Sequence, residues 1–157
     1  MHPLTDRDDS VVSWTGYGAA LWSLIFAIMH FIWATGWYVG IEPGPPRGEW
    51  QEKWFLTYDL TVAGICVFAV PVALAIVRPW GRLIPRWMVG LFAWTGTTLL
   101  VLRGVGAMLQ TLFFLLTEGH ARLHFWDVWF CVGAVLFGLG TWRFWNRSLR
   151  DRNLTPA

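Results

Sequence analysis

The thirty residues from Trp87 to Leu116 carry one charge, Arg103, near the middle of an otherwise apolar run. A hydrocarbon core of about 30 Å takes about 20 residues of helix, so the run is a membrane span and Arg103 sits near the bilayer midplane. A guanidinium at that depth costs at least about 2.5 kcal/mol on insertion scales and points to a functional site or a buried partner.

Three more stretches are long and apolar enough to cross, giving spans at about 14–41, 54–77, 87–116 and 123–145. The composition agrees. Of 157 residues, 55% are hydrophobic and only 14% charged, against about 25% charged in soluble domains. Thirteen tryptophans are present, most near the expected helix ends, where amphipathic rings settle among headgroups. Trp22, Trp33, Trp94 and Trp129 fall deeper, and packing is the simplest reason for them. Residues 1–10 are polar and acidic, without the basic region of a secretory signal, so the first helix is expected to be retained. The Pro/Gly-rich segment 42–49, the segment 78–86 and Glu118-Gly119-His120 break the helices. Short connections imply antiparallel neighbours. The expected fold is therefore all-α: a polytopic transmembrane four-helix bundle, up-down-up-down, forming a single domain over residues 1–157.

Basic residues set the orientation. Arg7, Arg78, Arg82, Arg86, Arg143, Arg147, Arg150 and Arg152 fall on one side, and Arg47, Lys53 and Arg122 on the other. Both termini are expected in the cytoplasm.

On each helix an ionisable or polar residue shares a face with small residues: His30 with Gly16 and Ser23, Asp59 with Ala63, Cys66 and Ala73, Arg103 with Gly96 and Gln110, and Asp127 with Cys131, Ala134 and Gly138. Small residues line helix contacts in membranes, so these groups are expected to face the bundle interior. Counting about 1.5 Å per residue, His30 lies at a depth between the two aspartates and Arg103, and Arg103 can reach Asp59 or Asp127 by extending toward the outer face. Three readings stay open: a structural ion pair fixing helix packing, a polar ligand or catalytic pocket, and a proton path. For the pocket, His30 is the candidate acid/base, oriented by Asp59 or Asp127, with Arg103 stabilising negative charge. Trp33, Tyr58 and Gln110 are candidate ligand contacts.

Much is excluded. Cys66 and Cys131 form no C-x-x-C pair, which argues against thiol-redox chemistry. One deep histidine and two aspartates on three helices make no metal-ligand spacing, and His120 and His124 lie too shallow to pair with His30 around a haem. There is no intramembrane lysine for a Schiff base, no phosphate loop and no nucleophile elbow. No basic motif suits nucleic acid. No cofactor is indicated.

The string His30-Phe31-Ile32-Trp33-Ala34-Thr35-Gly36 resembles the H-x-x-W-A-x-G signature of a family of small bacterial membrane proteins known as domain of unknown function 3995. Chain length, four spans, Arg86-Trp87 and Arg103-Gly104 are similar too. The resemblance brings no activity with it, but singles out His30, Trp33 and Arg103. Two functions are compatible with these features. One is an outward-opening polar cavity that binds or acts on an amphipathic, lipid-like molecule. The other is an accessory or assembly subunit docked to a membrane-protein partner, for which a small-residue ridge such as Gly36–Gly40 would serve.

Overall fold

The computed structural model describes the backbone of residues 4–41, 49–119 and 124–154, and the side chains of 14–41, 52–119 and 124–146. It contains four helices, α1 (Leu4–Ala34), α2 (Glu49–Val77), α3 (Arg86–Glu118) and α4 (Phe125–Leu154), with a 3-10 turn at Pro79–Leu83 between α2 and α3. Each holds a segment long and apolar enough to cross a membrane: Trp14–Ala34, Glu52–Val77, Arg86–Glu118 and Phe125–Asn146. The chain is a four-helix, multipass membrane protein, and the described residues include no strand. The Pro/Gly-rich segment 42–48, Arg122 and the basic tail from Arg147 fall outside the described side chains.

The first helix stops short of Ile41. Gly36 adopts φ +87°, and the amides of Thr35 and Gly36 bond back to Ile32 and Trp33. A left-handed glycine one or two residues past the last helical turn is a common stop. Residues 35–41 stay apolar but fold over the helix ends.

Packing is uneven around the bundle. α1 lies closely along α2 and also contacts α4, α3 pairs with α4, and α2 touches α3 only lightly. Alanines make the α1–α2 seam: Ala19, Ala20, Ala27, Ala63 and Ala73 are all buried, and small side chains let backbones approach. A Cβ on Gly16 would lie 3.2 Å from the Ala73 carbonyl oxygen. Trp22 fills the space between α1 and α4. Its indole packs against Gly133, where a Cβ would come 2.6 Å from the ring, and donates to the Trp129 carbonyl at 3.0 Å. Trp94, by contrast, is exposed. The α2–α3 seam closes near the connecting turn through Ala75, Ile76, Val89 and Ala93, with the Phe68 and Phe92 rings 5.1 Å apart just beyond. From there toward the far helix ends it opens.

Candidate functional site

The α1–α2 register decides which groups meet. Gly16 faces Ala73, and two heptads further along α1 His30 faces Asp59, two heptads back along α2. Both are buried, His30 at 2% exposure and Asp59 at 0%. The His30 Nδ1 lies 3.0 Å from the Phe26 carbonyl oxygen. A carbonyl only accepts, so Nδ1 carries the hydrogen and donates it. Nε2 is then left on the Asp59 side, 4.0 Å from Oδ1 and beyond hydrogen-bond length. Neither Asp59 oxygen has a hydrogen-bond partner.

Aromatic rings close this pair off. Phe26 and Trp33 stand edge-on to the His30 ring at 4.4 and 4.8 Å, and Trp126 stands edge-on to Trp33 at 4.9 Å. The indoles of Trp33 and Trp126 also donate to the carbonyls of Val39 and Gly40, at 2.9 and 2.8 Å. They thus pin residues 35–41 across the top of the pair. Trp33 is therefore structural in position. Gly36 and Gly40 both lie in this folded-over segment with positive φ, so they form no helical ridge for a partner helix.

Arg103 meets Asp127, not Asp59. Its Nη2 donates to Asp127 Oδ1 at 3.2 Å, and its Cζ lies 4.7 Å over the Phe130 ring. Asp127 is in the first turn of α4, and its Oδ2 accepts from the His124 amide at 3.2 Å. That bond satisfies an otherwise orphan donor at the helix start, where the dipole also favours an anion. The expectation that Arg103 faces the interior needs correction. The buried line of α3 runs through Gly90, Thr97 and Gly104, because these small residues allow α4 to approach. Arg103 is one residue, about 100°, off that line, and its side chain is 47% exposed. Gln110, two turns on, is also on the exposed face.

A cavity of about 360 Å³ lies where α2 and α3 part. Ser23 and Phe26 of α1 back it, Phe130 and Phe137 of α4 flank it, and Ile65 and Leu99 stand exposed at its rim, so its mouth faces hydrocarbon. Of the seven side chains singled out by sequence, only Tyr58 and Arg103 line it. His30, Trp33, Asp59 and Asp127 sit outside its wall, and so does Gln110. The wall is mostly apolar, with Ser23, Tyr58, Cys66, Thr95 and Arg103 the polar exceptions. Ser23 was visible only as a small residue on the His30 face. In the fold it is fully buried, and its Oγ has no hydrogen-bond partner. Among the described residues no three His, Cys, Asp or Glu side chains gather as a metal site would require.

No curated protein and no solved structure matches this chain. A family model described as Protein of unknown function (DUF3995) matches residues 23–138, a stretch holding every side chain of the two acid–base pairs and nearly all of the cavity wall. The chain belongs to that family.

Proposed function

We propose that this protein holds an amphipathic, lipid-like molecule in the cavity between α2 and α3, loaded sideways from the bilayer. One observation carries the reading: a mid-span cavity whose rim faces hydrocarbon and whose wall includes the half-exposed Arg103 guanidinium, tethered at one nitrogen to Asp127. Ligand sites are mostly apolar hollows of roughly 300–1,000 Å³ with a few placed polar groups, and this cavity is of that kind. The polar wall is smaller than the sequence suggested, because Asp59 and His30 turn toward each other and not toward the opening. The acid–base pair is thus set behind the site, and binding, not catalysis, is the role that the lining supports.

The segregation of basic residues supports both termini in the cytoplasm, and the resemblance to small bacterial membrane proteins supports the bacterial inner membrane. A periplasm-active phosphatase should be silent when fused after Ala157 and active when inserted near Gly44; the reverse result refutes this orientation. The binding reading is tested by extracting the protein in native-membrane polymer discs and weighing the intact complex by mass spectrometry. A lipid retained at about one per chain is expected. Recovery with a second membrane protein and no retained lipid would favour the accessory-subunit role instead.

A further inference from the structure

Building on that cavity reading, we propose that the molecule held there is uncharged and bears a carbonyl-containing head, an ester or ketone lipid, which accepts hydrogen bonds from Ser23 and Arg103. Charge is the first argument. The positive charge of Arg103 is already matched by Asp127 at 3.2 Å. An anionic head placed on the same guanidinium would stand beside the Asp127 carboxylate in a low-dielectric setting, where like charges repel strongly. No other charged side chain lines the cavity; its remaining polar groups are the hydroxyls of Ser23, Tyr58 and Thr95 and the thiol of Cys66.

Hydrogen bonding is the second argument. Ser23 Oγ is buried at the back of the cavity with no partner in the protein. A hydroxyl so placed is costly unless something fills its bonding capacity, and in a membrane interior water is scarce. Arg103 uses one Nη2 bond on Asp127, is half-exposed and lines the same cavity; guanidinium has five N–H donors. Arg103 can only donate and the Ser23 hydroxyl can donate as well, so a head that accepts suits both. A carbonyl supplies lone pairs without bringing a charge. The apolar rim at Ile65 and Leu99 suits the tail.

The test uses two photoreactive probes that differ only in charge, a long-chain fatty acid with a mid-chain diazirine and its methyl ester. Each is added to the full chain in phosphatidylcholine vesicles at a pH that ionises the acid. Crosslinks are mapped to the buried wall residues Phe26 and Phe137 and compared with those at the exposed rim residues Ile65 and Leu99. The ester should label that wall several-fold more than the acid. Ser23→Ala should lower ester labelling about fivefold, the worth of one hydrogen bond. It should also leave folding unchanged, since it removes a hydroxyl with no protein partner. Equal or stronger labelling by the acid, or no effect of Ser23→Ala, would overturn the proposal while leaving the cavity as a lipid site. Absence of wall labelling by either probe would overturn both.

Discussion

The two acid–base pairs of this bundle join the same kinds of group and are built in opposite ways. Asp127 sits at a helix start, where it accepts from Arg103 and from the His124 amide and faces the positive end of the α4 dipole. Its charge is accounted for by architecture alone. Asp59 lies within α2, fully buried, with His30 Nε2 at 4.0 Å and no hydrogen bond to either oxygen. The first pair is open to the cavity through Arg103; the second is sealed beneath Trp33 and Trp126. A carboxylate that caps a helix and anchors an arginine stabilises the fold. A carboxylate without bonds does not, so removing each should have different consequences.

The largest difference is expected at Asp127. Asp127→Leu strips Arg103 of its counter-charge and uncaps α4. Hydrogen bonds to charged groups are worth about 1.5–3 kcal/mol, and the half-exposure of Arg103 keeps the total loss to about 2–3 kcal/mol. Reversible unfolding in mixed detergent micelles measures it. Adding Arg103→Leu should recover a good part, because no unpaired charge then remains. If the double variant is no better than the single, the pair is not what Asp127 contributes.

Next comes the seal. Trp126→Phe removes one indole donor from the Gly40 carbonyl, at about 1 kcal/mol. It should also loosen residues 35–41 and raise the reactivity of His30 toward an imidazole-modifying reagent, with Asp59 left in place. Unchanged reactivity would mean that the aromatic cover does not protect the pair.

The smallest effect is expected at Asp59. Asp59→Asn keeps the shape and breaks no hydrogen bond, so stability should change by less than about 1 kcal/mol. A loss as large as that of Asp127→Leu would erase the distinction between the two pairs.

Hydropathy was enough to find four helices, because a hydrocarbon layer demands a fixed length of apolar chain whatever the tertiary packing. The α1 boundary was less legible: Trp37, Tyr38, Val39 and Ile41 continue the apolar run, and only Gly36 hints that the backbone turns. Depth counting brought Arg103 within reach of two aspartates but did not choose between them. That choice depends on how α3 is rotated, which Gly90, Thr97 and Gly104 decide by packing on α4. His30 and Asp59 were both recognisable as interior residues, and the α1–α2 alanines that set their register were visible too. A cavity opening outward was expected; that it opens sideways between α2 and α3 was not legible. It exists because α2 and α3 part beyond Phe68 and Phe92, a tertiary feature with no local signature. Ser23 therefore looked like one more small residue.

The central claim, that the gap between α2 and α3 is a lipid site, is tested most directly by filling it. Gly96 lines the cavity with nothing within 4 Å of a Cβ built on it, and Gly106, equally unobstructed, lies on α3 outside the cavity. Lipid retained per chain in native-membrane discs is compared by mass spectrometry for wild type, Gly96→Phe and Gly106→Phe. The account predicts loss of the retained lipid in Gly96→Phe and wild-type retention in Gly106→Phe. Equal retention in all three would contradict it.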